Sequence, residues 1–316
     1  MSISLSPHPR SVIVARLRAA GCVFAEDEAQ LFISAARTRV DLAAMVDRRA
    51  AGLPLEHVLG WAEFCGLRIA VDPGVFVPRR RTEFLVHQAA ALACQAASSG
   101  QALARPRAVV VDLCCGSGAV GAALVAALDR VELHAVDIHP AAVRCARRNL
   151  AAAGGQVYEG DLYQPLPATL RGRVDILVAN APYVPTEAIG LLPPEARIHE
   201  PRVALDGGVD GLDVQRRVAA MAPLWLALGG FLLVETSERQ APQTVEAFAR
   251  NVLIPRVASS DELNATVVIG TRPAPAQPGY TPTAPSRLPA GSMGRWLRCE
   301  CAALGKGQCS SSGRLH

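Results

Sequence analysis

Val111-Asp112-Leu113-Cys114-Cys115-Gly116-Ser117-Gly118-Ala119-Val120-Gly121 reads as a strand that runs into a loop of small residues and then into a helix. Gly116 and Gly118 let a ligand come close to the backbone, where a β-carbon would obstruct it. The N–H groups at the start of the helix then face that ligand. Gly116 to Gly121 also fits the dinucleotide pattern, so the loop alone does not separate a nicotinamide dinucleotide from S-adenosylmethionine.

Outward from this loop, residues 107–271 alternate short β-branched runs with helical stretches. Strands are predicted over 108–113, 132–137, 156–159, 175–179, 230–235 and 265–270, and helices over 120–128, 140–152, 210–227 and 241–250. Such alternation predicts an α/β fold, a doubly wound parallel sheet covered on both faces, with ligands at the carboxyl ends of the strands. Upstream, residues 1–52 form a small helical unit, with apolar residues at three- and four-residue spacing over 11–20 and 26–37, a stop at Gly21 and a third helix over 41–50. Residues 53–106 are expected to hold a hairpin connector, in which Leu67, Ile69 and Val71 alternate with polar or small residues, and a helix over 82–97. From 272 to 316 prolines, serines and glycines replace periodicity, and a disordered tail is expected.

Composition narrows the class. Half of the 316 residues are apolar and 19% are charged, as a packed globular core requires. The longest apolar run, Ala222 to Val234, contains Pro223 and Gly229-Gly230 and is too short for a membrane span. With no secretory pattern at the start, a cytoplasmic protein is expected. The formal charge of +4 comes from the tail, where six basic residues face only Glu300; the rest stands at −1 and carries no electrostatic footprint for nucleic acid. Nine cysteines, among them Cys94 and Cys145 in apolar surroundings, form no disulfide framework. Cys299, Cys301 and Cys309 lack the spacing of zinc ligands, so no metal is expected.

Three further strand ends carry candidate chemistry. Asp137 lies 21 residues after Gly116, where a carboxylate can accept both hydroxyls of a ribose; it could equally cap the helix beginning near Pro140. Asp161, just after the next strand, could accept an adenine amine with Leu162 against the ring. Asn180-Ala181-Pro182-Tyr183 follows the strand ending at Ala179. Asn180 offers a side-chain carbonyl, Ala181 a backbone carbonyl and Tyr183 a flat face, while Pro182 stiffens the turn. Together they can hold a planar amide or amine.

These residues resemble the class I S-adenosylmethionine-dependent methyltransferases, and among them the protein-(glutamine-N5) methyltransferases of release factors, whose hallmark is Asn-Pro-Pro-Tyr. Gly52-Leu53-Pro54-Leu55, Gly60, Glu63-Phe64-Cys65-Gly66, Val77-Pro78-Arg79 and Thr82-Glu83 are similar to the family's connector, and Glu200-Pro201-Arg202-Val203-Ala204-Leu205-Asp206-Gly207-Gly208-Val209-Asp210-Gly211-Leu212 to its segment after the tetrapeptide. Three departures stand out: Ala181 for proline, Cys114 for the glycine of Asp-Leu-Gly, and Pro78-Arg79-Arg80-Arg81-Thr82-Glu83 for Pro-Arg-Pro-Glu-Thr-Glu.

The resemblance implies a Rossmann-like class I methyltransferase sheet and S-adenosylmethionine as cofactor. Asp112, Cys114, Cys115, Gly116, Ser117, Gly118, Asp137, Asp161, Leu162 and Asn180 would line the cofactor site. Asn180, Ala181, Pro182 and Tyr183 would bind substrate, with Asn180 and Tyr183 catalytic. The implied partner is a protein, a peptide chain release factor methylated on the glutamine of Gly-Gly-Gln, docked by the N-terminal helices. Two other readings share parts of the pattern. An adenine-N6 methyltransferase of nucleic acid would use the same tetrapeptide on a flipped base. An NAD-dependent oxidoreductase would use the glycine loop but leaves Asn180 to Tyr183 unexplained.

Overall fold

The computed structural model describes residues 7–98 and 107–274. The expected tail, with Cys299, Cys301 and Cys309, lies almost wholly outside the described residues. The chain opens with helices α1 (Pro7–Ala19), α2 (Ala25–Ala35), α3 (Arg39–Ala50) and the short α4 (Leu55–Leu59). They enclose a cluster of their own that includes Leu17, Phe32, Leu42, Val46 and Val58. Thr38 starts α3 with a capping box: its hydroxyl accepts the Asp41 N–H at 3.1 Å, and the Asp41 carboxylate accepts the Thr38 N–H at 3.1 Å.

Strands β1 (Trp61–Phe64) and β2 (Leu67–Ala70) form the expected hairpin. Its two turn residues, Cys65 and Gly66, both have positive φ, the geometry that matches the twist of tightly joined strands. Helix α5 (Glu83–Ser98) follows a 3₁₀ turn over Arg80–Thr82.

The remaining elements are β3 (Ala108–Leu113), α6 (Ala119–Ala127), β4 (Val131–Asp137), α7 (Pro140–Leu150), β5 (Gln156–Glu159), β6 (Val174–Ala179), α8 (Pro194–His199), α9 (Asp213–Trp225), β7 (Leu226–Thr236), α10 (Ala241–Arg250), β8 (Ile254–Ser260) and β9 (Ala265–Thr271). The sheet order is β5-β4-β3-β6-β7-β9-β8. All six residues of β3 are buried. Alternate ones face opposite layers: Val110 lies with Leu85, Leu124 and Leu150 of α5, α6 and α7, whereas Val109 and Val111 lie with Val218 and Phe248 of α9 and α10.

The expected parallel sheet is present, with one antiparallel strand added near its edge. The strands β5-β4-β3-β6-β7 are parallel, but β9 runs antiparallel to both β7 and β8. A four-residue turn, with no helix, joins β8 to β9, so the chain can only double back. Strand β8 itself escapes prediction: it is an edge strand with alternating exposed positions and a proline, Pro255, where an interior strand would have none. Helices α4 and α8 are too short to show periodicity. Strand order reverses at β3, which has β4 on one side and β6 on the other, and a crevice opens at their carboxyl ends.

Candidate active site

A cleft of about 450 Å³ occupies that crevice. Of the residues expected at the site, Asp112, Cys114, Cys115, Gly116, Ser117, Asp137, Asp161, Leu162 and Asn180 to Tyr183 all line it; Gly118 does not. A side chain on Gly118 would meet Ala146 and Leu150 of α7 at 3.2 Å, and its φ is +79°, so this glycine lets α6 pack on α7. Gly116, with φ +54° and open space around the position of a β-carbon, is the one that faces the cleft.

The loop is held from three directions. Asp112 turns its buried carboxylate onto the N–H of Gly121 in the first turn of α6, 3.0 Å away, and burial raises its pKa to about 7. Asp137 at the end of β4 accepts the Gly116 N–H and the His139 N–H, each at 2.8 Å, so it serves both the loop and the start of α7. Burial raises the Asp137 pKa, and the two backbone donors oppose the shift. From α7, the Asn149 amide donates to the carbonyls of Ser117 (2.8 Å) and Ala70 (2.9 Å) and accepts the Ala70 N–H, tying loop and hairpin together. Leu162 is buried with φ +49°, beside Gly160, and Asp161 is ion-paired with Arg217 of α9. An anchoring role for Asp161 therefore joins the predicted contact to an adenine.

Asn180 stands across the cleft at the end of β6. Its amide N–H donates to the Thr82 hydroxyl at 3.2 Å, which leaves the side-chain carbonyl for the cleft. The Tyr183 hydroxyl donates to Glu235 at the end of β7 (3.3 Å), and the Arg81 guanidinium lies 5.8 Å from the Tyr183 ring centre. Thr82, Arg81 and Glu235 were not among the predicted site residues. One signal was present for Glu235: it too ends a parallel strand.

The segment after the tetrapeptide clamps it by backbone contact. Val184 donates to the Leu205 carbonyl and accepts the Gly207 N–H, at 3.0 and 2.9 Å. A β-carbon on Gly207 would lie 2.7 Å from the Pro182 carbonyl oxygen, and one on Gly211 only 2.3 Å from that of Tyr183. Gln240, at the N-cap of α10, closes the arrangement by donating to the carbonyls of Tyr183 and Asp210. Glu200, buried, accepts the Val77 N–H and both bonds of a forked pair with Arg79.

A family model described as the methyltransferase small domain matches residues 100–208. The release factor glutamine methyltransferase of Geobacter sulfurreducens is 38% identical over 230 residues, covering 72% of this chain and 76% of that one. The chain belongs to the release factor glutamine methyltransferase family. The Mycolicibacterium smegmatis member is 41% identical over 208 residues, covering 66% and 70%. Among solved structures, a methyltransferase from Pyrococcus furiosus has TM-score 0.47 at 14% identity over 66% of this chain and 90% of that one. A release factor-specific protein-(glutamine-N5) methyltransferase from Alicyclobacillus acidocaldarius has TM-score 0.36 at 24% identity over 63% and 95%. Membership of the release factor glutamine methyltransferase family makes the sheet a class I methyltransferase sheet, and the readings as a nucleic-acid methyltransferase or an oxidoreductase lose their ground.

Two departures from the release factor glutamine methyltransferase pattern acquire a geometry. Cys114 has φ +56°, a left-handed conformation that glycine adopts freely and that costs a residue with a β-carbon about 1–2 kcal/mol. Arg81 pairs with the buried Glu235 at 3.2 Å.

The family implies S-adenosylmethionine, and the residues present suit it. Gly116 leaves the loop backbone open to the cleft, and each oxygen of Asp137 accepts one backbone N–H, so a lone pair remains on each for a ribose hydroxyl.

Proposed function

We propose that this protein transfers a methyl group from S-adenosylmethionine to the side-chain amide nitrogen of a protein glutamine, that of Gly-Gly-Gln in a peptide chain release factor. The observation that carries the reading is the orientation of Asn180. With its amide N–H engaged by Thr82, it offers the cleft an acceptor, which suits an incoming NH₂ group. Family membership supports the same substrate class.

An amide nitrogen is a weak nucleophile because its lone pair is delocalised into the carbonyl. When bound, S-adenosylmethionine supplies an electrophilic methyl group. Gly116, Asp137, Asp161 and Leu162 would hold it, the carboxylates on its hydroxyls and amine and Leu162 on its ring. The Asn180 side-chain carbonyl and the Ala181 backbone carbonyl would accept the two N–H bonds of the substrate amide, fixing its direction and raising electron density on nitrogen. The Tyr183 ring would cover the face of the amide and attract positive charge. The helical unit would dock the protein substrate beside the cleft, to whose wall Arg49 ties it: Arg49 binds Glu28 in a fork and Glu195 of α8 at 2.6 Å.

Incubation with S-adenosylmethionine and a release factor, followed by peptide mass spectrometry, should place one methyl group on the Gly-Gly-Gln glutamine. Asn180→Ala should abolish transfer and keep cofactor affinity in calorimetric titration. Methylation elsewhere, or a fully active Asn180→Ala, would refute the reading.

A further inference from the structure

Asp161 and Arg217 line both the cleft and a smaller cavity of about 320 Å³ beside it, so the Asp161 carboxylate has two openings to turn to. The turn that carries it is fixed. The Gln164 N–H donates to the Asp161 carbonyl at 3.1 Å. The Tyr163 hydroxyl donates to the Val218 carbonyl of α9 at 2.8 Å, and the Tyr163 ring stacks on Trp225 with centroids 5.6 Å apart. With the backbone held in this way, what remains open is the direction of the carboxylate. Its side chain is 28% exposed and free to rotate among staggered positions.

Two donors settle that direction. The Arg217 guanidinium and the Gln164 amide, the latter at 3.3 Å, both donate to the same carboxylate oxygen, Oδ2. Among the described residues Oδ1 makes no hydrogen bond, so its lone pairs remain for a ligand in the cleft. Arg217 carries donors only and cannot itself accept an amine in place of the carboxylate. We propose that Arg217 is a specificity-determining positioning residue: by holding Oδ2 from α9 it turns Oδ1 to the adenine amine of the cofactor, and so selects a 6-amino purine. The pair is half exposed on the arginine side, where an ion pair adds little to stability, so removing it leaves the fold intact.

This inference rests on the reading of Asp161 as acceptor of the adenine amine, and binding measurements on the full chain test the two separately without turnover. Calorimetric titrations use S-adenosylhomocysteine and its analogue with hydrogen in place of the 6-amine. The wild type should prefer the amine about tenfold, the low end of the scale for a hydrogen bond to a charged group. Asp161→Ala should bring the two affinities to within about twofold of each other. Arg217→Met should do the same with Asp161 still in place, and should add nothing to Asp161→Ala, as residues acting as one unit behave. Arg217→Lys, which keeps a cationic donor, should recover a preference of about fivefold.

A wild type with no preference for the amine, unchanged by Asp161→Ala, would sink the Asp161 reading and the proposal together. A preference lost in Asp161→Ala but kept near tenfold in Arg217→Met would overturn the role of Arg217 alone. Equal weakening of both ligands in Arg217→Met, with the preference intact, would do the same, since that is what a merely structural role predicts.

Discussion

Asp112 shows what a single buried group does to this fold. It ties β3 to α6 through the Gly121 N–H, and burial raises its pKa from 3.8 to about 7. A carboxyl held above its unfolded value binds its proton more tightly in the folded state. Its contribution is therefore complete below about pH 3.8 and is lost as pH rises through about 7. Asp112→Asn keeps an acceptor for Gly121 without the charge. Urea unfolding at stepped pH should show a flatter decline between pH 4 and 7 in the variant, with a residual slope from Asp137, whose pKa is shifted the same way. An unchanged slope would remove Asp112 from that role. Much at this scale was legible: Asp137, Gly116 and Asn180 all line the cleft. Gly118 misled because a glycine needed for helix packing and one needed for a ligand look alike in a sequence.

Among the elements, the loop over 205–212 does the least conspicuous work. It carries few apolar residues and no periodicity, yet it holds Val184 and Thr186, directly after the tetrapeptide, by backbone hydrogen bonds that close approach alone makes possible. Gly211 is the pivot, with φ +78° and no room for a β-carbon beside the Tyr183 carbonyl and the Gln240 amide. Gly211→Ala should cost about 1–3 kcal/mol through strain and displacement, lowering Tm by several degrees at roughly 2–4 °C per kcal/mol. It should also lower methyl transfer at least about tenfold while sparing cofactor affinity, because the glycine loop at β3 is a separate element. A variant with unchanged Tm and activity would show that the loop yields freely. Helix α10 was readable to the residue, and α6, α7 and α9 to within three residues at their ends; β8 was not readable, because an edge strand buries too little to show a pattern.

For the whole molecule, Arg49 decides how the helical unit meets the sheet domain. Its guanidinium is 9% exposed and binds Glu28 within the unit and Glu195 on the cleft wall, 146 residues away. Arg49→Ala would leave Glu28 buried without its partner, at a cost of about 3–5 kcal/mol. Hydrogen exchange should quicken in α1–α4 and in α8 while β3, β4 and β6 keep their protection; unchanged exchange in α8 would break the proposed link. The sequence by itself determined what depends on neighbours along the chain: strands that end in ligand-binding residues, the loop at Gly116, the tetrapeptide and the family. Only the tertiary structure decided which way Asn180 faces, because Thr82, the partner of its amide, lies 98 residues away along the chain. A side chain's chemistry is local, but its orientation is set by hydrogen-bond partners that only the fold brings within reach.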